Sequence, residues 1–271
     1  MTIKLITTDI DGTILKYDGT FNQPVYDCIQ KLEHNGVKVI LITGRMHKSA
    51  KKIADMFNLQ NPIVSFQGAL IKDNSKEEKT LYARYIPIET TKNILKWSKS
   101  QKIDVNLYMD DELYSENENG SIKQYTKAQN IPYFIKDFES LKIENVNKVL
   151  LIDYEDAEHV TEIKNQLTKD YPELYIVKST EYFCEVCHPE ATKGDGVRFL
   201  QQYYGITKEE TLAIGDHDND IELLQAAGVK VAMGNGSDDL KNVADFVTDT
   251  VDNDGFVKAV EKYVLNAGAN V

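Results

Sequence analysis

Four short runs, KLITT, VKVILITG, PIVSF and TLAIG, are apolar almost throughout and stop abruptly at polar residues. A strand that alternates apolar with polar can leave one face in water; a strand that does not must be covered on both faces, as in a parallel sheet flanked by helices. The segments between these runs have helical spacing, with Val25, Ile29 and Leu32 on one stripe and Ala50, Ile53, Ala54 and Phe57 on the next. The pattern predicts an α/β fold with a doubly wound, Rossmann-like parallel sheet.

The middle of the chain has another character. From Gly68, ALI and LYARYI flank the polar KDNSKEEKT like a hairpin. After Pro87 come helices near 89–100, 119–129 and 156–168, mixed with strands in VNLYMDDELYSE, KVLLID, LYIVKS and YFCEVC. Paired strands among helices indicate an α+β layer with an antiparallel sheet. Parallel character returns after Pro189, with a helix over 193–204, TLAIG, a helix over 219–227, KVAM, DFVT and a last helix through Phe256, Val260 and Val264. The expected organisation is a discontinuous core of residues 1–84 and 190–271, with 85–189 inserted as a cap through two crossings that can act as hinges.

Composition narrows the function. Over 271 residues the formal charge is −12, which argues against nucleic acid, where Lys and Arg must neutralise phosphates, and against anionic membranes. No N-terminal basic and apolar leader and no membrane-length apolar run is evident, so the chain reads as cytoplasmic. A monomer suffices for all that follows. Cys28, Cys184 and Cys187 are too few for a disulfide framework. CEVCH at 184–188 matches the haem-attachment spacing, but it reads as a strand with Cys184 and Val186 on one face, and no second ligand pair completes a zinc site.

Ligands of open α/β sheets bind beyond the carboxyl ends of the strands. There the sequence sets Asp9 and Asp11 after the first run, Thr43, Gly44 and Arg45 after the second, and Asp216, His217, Asp218, Asn219 and Asp220 after TLAIG. Carboxylates about 4 Å apart repel by roughly 4 kcal/mol per pair at an effective dielectric of 20. Such a set takes up protons or a cation, and oxygen ligands suit Mg²⁺. Capping competes as an explanation for Thr43, Asp218 and Asn219. It does not serve Lys193, which opens a helix behind Thr192, where a cation opposes the helix dipole unless an anion sits beside it.

DIDGT, TGR, Lys193 at a helix start and GDHDND, in that order, resemble the haloacid dehalogenase-like phosphatases. The insert lies where the Cof-type branch carries its α/β cap. The resemblance runs over essentially the whole chain. It implies Asp9 as the nucleophile that accepts the phosphoryl group. Asp11 would be the general acid and then base, its carbonyl facing Mg²⁺ and its carboxyl set where it can carry a proton. Thr43, Gly44 and Arg45 would bind the phosphate, Lys193 would steady both nucleophile and phosphate, Asp216 would ligate the metal, and Asn219 and Asp220 would orient substrate and metal. Two residues depart from the family pattern: Gln67 where Asn is common, and His217 where a small residue is common, the latter expected as a solvated loop residue in preference to a substrate contact.

The implied activity is Mg²⁺-dependent hydrolysis of small phosphorylated metabolites, sugar phosphates or cofactor-type monoesters, through an aspartyl-phosphate. A phosphomutase using the same intermediate and a receiver-like phosphoacceptor switch are the alternatives. Asp11 argues against a switch, since a second acid speeds loss of the phosphoryl group. The insert is expected to set specificity; its aromatics, Tyr108, Tyr114, Tyr125, Tyr133 and Phe134 among them, could meet a substrate, although such spacings more often mark core, and no cap residue is singled out for substrate.

Overall fold

The computed structural model describes residues 2–265; residue 1 and residues 266–271 lie outside the described residues. Along the chain, β1 (Leu5–Thr8) leads through α1 (Gln23–His34) to β2 (Lys38–Leu41), and α2 (His47–Met56) leads to β3 (Ile63–Ser65). Then β4 (Leu70–Lys72) and β5 (Thr80–Ala83) form the expected hairpin. The middle comprises α3 (Ile88–Gln101), β6 (Asp104–Met109), β7 (Glu112–Ser115), α4 (Gly120–Gln129), β8 (Phe134–Ile135), β9 (Val146–Ile152), α5 (Ala157–Asp170), β10 (Tyr175–Thr180) and β11 (Phe183–Cys187). The chain closes with α6 (Lys193–Tyr204), β12 (Thr211–Gly215), α7 (Ile221–Gln225), β13 (Val229–Ala232), α8 (Asp238–Val243), β14 (Phe246–Val247) and α9 (Gly255–Val260).

A five-stranded sheet of order β14-β13-β12-β1-β2 is parallel throughout. Successive residues of its strands feed opposite cores. Ile6, Val39, Leu41, Leu212 and Ile214 pack with α1, α2 and α9. Leu5, Ile40, Ala213 and Ala232 pack with α6, α7 and α8. This two-sided burial is why the strands are apolar without alternation, and it is the doubly wound α/β fold. β3 meets the sheet only through one parallel bridge, Ile42 to Val64, and otherwise belongs to the antiparallel set β3-β4-β5.

The second large sheet, β10-β11-β9-β6-β7-β8, is antiparallel except for the short β7–β8 pair, which the sequence pattern does not reveal. The chain enters this α+β layer between β5 and α3 and leaves it between β11 and α6. An ion pair at 2.7 Å, Arg84 Nε to Glu190 Oε2, ties the two crossings together. The layer rests on the start of α2. Asp111, in the β6–β7 turn, accepts from the Lys48 amide at 3.3 Å, and Ser49 donates to the Gln129 carbonyl at 3.1 Å. No described helix is long and apolar enough to cross a membrane.

Several local expectations need correction. The helix expected over 219–227 is a 3-10 turn, Asp218–Asp220, followed by the five-residue α7. The turn tightens because Asp220 folds back and accepts from the amides of Asp216 and His217 at 3.0 and 3.2 Å, so neither Asp218 nor Asn219 is the cap. Thr43 does not cap α2 either, whose N-cap is Met46. The last helix keeps α geometry only to Val260 and continues as a wider turn over Glu261–Leu265.

Candidate active site

β1 and β12 are neighbours, and their carboxyl ends deliver Asp9 and Asp216 to one point. Asp220 joins them through its turn, and one carboxylate oxygen from each of the three lies within 4.8 Å of the others. All three are buried. Lys193 reaches the cluster from the first turn of α6, 1% exposed, with Nζ donating to Asp9 Oδ1 at 2.6 Å and to Asp220 Oδ1 at 2.5 Å. Its helix starts where the sequence places it, because the Thr192 hydroxyl accepts from the Asp195 amide while Asp195 accepts from the Thr192 amide. The anions that the dipole argument requires beside Lys193 are therefore Asp9 and Asp220.

Charge in this cluster does not balance. Three buried carboxylates face one ammonium. Burial pushes the Asp9 carboxyl up to about 7; Lys193 opposes the shift, and Asp220 and Asp11 add to it. Burial, then Asp9 and Asp220, push Asp216 well above the carboxylate range. Burial works against the charge on Lys193, but Asp220 and Asp9 overturn it and hold its pKa above the ordinary value. A carboxylate set with more negative charge than its lysine offsets, oxygen-only and buried, fits a hard divalent cation.

Gly12 lets the chain pass this cluster. Its φ is +79°, and a Cβ there would stand 2.1 Å from Asp216 Oδ2. On the outer side, the Tyr17 hydroxyl donates to Asp216 Oδ2 at 2.6 Å, and Asn235 Nδ2 bridges the Gly12 carbonyl at 2.9 Å.

Asp11 pairs with Arg45, an interaction that its spacing in the sequence does not announce. Both its oxygens accept from Arg45, Nε at 2.7 Å and Nη2 at 2.6 Å. Arg45, expected on the phosphate, is thus committed to Asp11 and to Ser49 at 3.0 Å. Thr43 Oγ1 accepts from the Arg45 amide at 3.1 Å, so its own hydrogen remains free to donate toward the cavity. Asn219 Nδ2 donates to Gln67 Oε1 at 3.2 Å. Asp9, Asp11, Thr43, Gly44, Arg45, Asp216 and Asn219 all line one cavity of about 710 Å³. His217 lines it too and is half-buried there, not a solvated loop residue.

A family model of haloacid dehalogenase-like hydrolases matches residues 6–260. The chain belongs to this family. It is 28% identical over 263 residues to the 5-amino-6-(5-phospho-D-ribitylamino)uracil phosphatase YitU of Bacillus subtilis, across 96% of this chain and 97% of that protein. Among solved structures, TM0651 of Thermotoga maritima matches with a TM-score of 0.81 at 28% identity, over 96% of this chain and 97% of that one. The subclass IIB sugar phosphatase BT4131 matches in fold with a TM-score of 0.86 at 24% identity, over 96% and 98% of the two chains. The protein is a haloacid dehalogenase-like enzyme with phosphatases for relatives.

This hydrolase carries a buried polar network that the motifs do not announce. Lys148 of β9 donates to Glu185 of β11 at 3.1 Å and to the Gly44 carbonyl at 2.6 Å. Glu185 also accepts from Gln67 Nε2 at 2.9 Å and from Ser179 Oγ at 2.6 Å. Gln67, at φ 64°, therefore joins the antiparallel layer to Asn219, a span in which the longer amide serves. The signal was present in the sequence: period-two alternation sets Lys148 with Leu150 and Ile152, and Glu185 with Phe183 and Cys187, on inward faces of the same cluster. A lysine and a glutamate on inward faces imply each other.

Proposed function

We propose that the chain is a Mg²⁺-dependent phosphatase of small phosphorylated metabolites, working through an aspartyl-phosphate on Asp9, with residues 85–189 as a cap over the site. The observation that carries this reading is Asp9 itself. It lies at the floor of a cavity, held 2.6 Å from Lys193 and within 4.8 Å of two further carboxylates.

An Asp9 oxygen attacks phosphorus while the bond to the ester oxygen breaks. Asp11, in its acid form, gives that oxygen its proton. Asp11 then takes a proton from water as the water oxygen attacks phosphorus and frees Asp9, so ester and water become alcohol and phosphate. The Thr43 hydroxyl, the Gly44 amide and Lys193 are suited to hold the phosphoryl oxygens, with Asn219 at the edge. Asp9, Asp216, the Asp11 carbonyl and Asp220 would hold Mg²⁺, which when bound neutralises charge on the cluster and on the transferring phosphoryl group.

The test is a panel of phosphate esters with the protein stripped by chelator and then titrated with Mg²⁺. Phosphate release is expected only after metal is restored, and metal-independent turnover would remove the proposed chemistry. Labelled water should appear in the released phosphate; transfer of the phosphoryl group to product would indicate a mutase. Mg²⁺ at about 100 times its dissociation constant should also stabilise the fold by ~2.7 kcal/mol, read as a raised melting temperature.

Gly12→Ala tests the cluster apart from turnover. The added methyl both strains a left-handed residue, at about 1–2 kcal/mol, and displaces Asp216. Calorimetric Mg²⁺ affinity should fall about 10–100-fold; unaltered affinity would mean that Asp216 is not a ligand.

A further inference from the structure

Part of the same cavity is walled by rings of the inserted layer. Tyr125, Tyr154, Tyr182 and Phe183 line it, all from the antiparallel layer. They brace one another: Tyr125 and Tyr154 each meet the Phe183 ring edge-on, at 5.6 and 5.5 Å between centroids, and Tyr154 lies 6.0 Å from Tyr182. Tyr125 is fixed further by the Tyr108 hydroxyl, which donates to its oxygen at 2.6 Å. A braced aromatic wall is a preorganised surface for another flat ring. The cavity volume is in the range that holds a drug-sized ligand, and a triose would leave most of it to water.

Charge narrows the occupant further. Two cations line the cavity, and both are engaged. Arg45 gives Nε and Nη2 to Asp11 and Nη1 to Ser49. Lys148 is held by Glu185 and the Gly44 carbonyl, with its ammonium 4.9 Å from the Tyr108 ring centroid. Lys193 is committed to Asp9 and Asp220. Among the described residues, every cation that lines the cavity already has a partner within the protein, and Glu181 on the same wall would repel a second phosphate or a carboxylate on the substrate. The neutral polar groups Thr180 and Gln129 and the imidazole of His217 remain to meet hydrogen-bonding atoms on the rim of a ring.

Resting on the phosphatase reading, we infer that the substrate is a monophosphate ester whose alcohol carries an uncharged heteroaromatic ring, the ring standing against the Tyr154 and Phe183 wall while the single phosphate reaches Asp9. Hexose monophosphates fit the charge but offer the wall no flat ring. Bisphosphates and phosphorylated acids bring a second anion that the engaged cations do not meet.

The experiment compares kcat/KM with Mg²⁺ for adenosine monophosphate, riboflavin phosphate, glucose phosphate and fructose bisphosphate. At least one ring-bearing ester should exceed glucose phosphate by about tenfold or more, the value of one good aromatic contact, with fructose bisphosphate last. Tyr154→Ala should lower the ratio of ring ester to glucose phosphate about tenfold, chiefly through KM, and Tyr154→Phe should keep it. Glu181→Lys, at an exposed position, should raise kcat/KM for fructose bisphosphate at least about threefold through one added cation near the second phosphate. Glucose phosphate or fructose bisphosphate matching the ring esters, or a ratio unmoved by Tyr154→Ala, overturns the substrate class and leaves the phosphatase reading standing. Absence of turnover of every ester in the presence of Mg²⁺ overturns both.

Discussion

Asp9→Asn is expected to lose phosphatase activity by at least about 10³-fold, because an amide cannot accept the phosphoryl group that Asp9 carries. The fold should survive. The metal-free protein holds Asp9 with its pKa raised from 3.8 to about 7, burial being the largest cause. A carboxyl whose folded pKa exceeds its unfolded value binds more protons folded than unfolded. Its contribution to stability is therefore full below about pH 4 and is lost as pH rises through about 7. Asparagine titrates nowhere in that window, so metal-free Asp9→Asn should melt at or above the wild type at pH 8 and show a shallower fall between pH 4 and 7. Lys193 keeps Asp220 as a partner in the variant. Turnover within about tenfold of wild type would dismiss Asp9 as nucleophile, and a collapsed fold would show that its charge is structural.

How far the sequence foretells this site depends on which interactions are local. Strand burial on two faces is written in unbroken apolar runs, and the carboxyl ends of those runs then predict where Asp9, Thr43 and Asp216 converge. The start of α6 was legible because the Thr192 and Asp195 capping box lies within four residues. The Asp11 to Arg45 pair was not. It spans 34 positions, and whether Arg45 turns to Asp11 or to a phosphate depends on side-chain orientation that spacing does not encode. The turn at Asp218–Asp220 was misread as helix because the competing event, a carboxylate taking two amides behind it, leaves helical composition intact. The aromatic wall escaped for a related reason. Tyr154, Tyr182 and Phe183 fall at strand ends and turns, where periodicity assigns no face. Of the five ring residues expected in the core, Tyr108 and Tyr125 are there, Tyr114 and Tyr133 are half-buried and Phe134 is exposed, while Tyr125 also borders the cavity.

Lys148→Met carries the largest expected effect on stability. Lys148 and Glu185 have side chains 1% and 5% exposed, and without the ammonium Glu185 retains only the neutral donors of Gln67 and Ser179. Removing one partner of a buried pair costs about 3–5 kcal/mol, because the other charge stays in a low-dielectric interior uncompensated. The denaturant midpoint should fall accordingly. Lys148→Met combined with Glu185→Gln should recover much of the loss, since the stranded charge is then gone. Turnover separates this electrostatic account from a second consequence. Lys148 also holds the Gly44 carbonyl, and Gly44 follows Thr43 in the loop proposed to bind phosphate. The double variant should therefore regain stability without regaining kcat. If it recovers both together, Lys148 acts only through Glu185; if the single variant unfolds at the wild-type midpoint, the pair is solvated in solution and the antiparallel layer does not close on Gly44 as described.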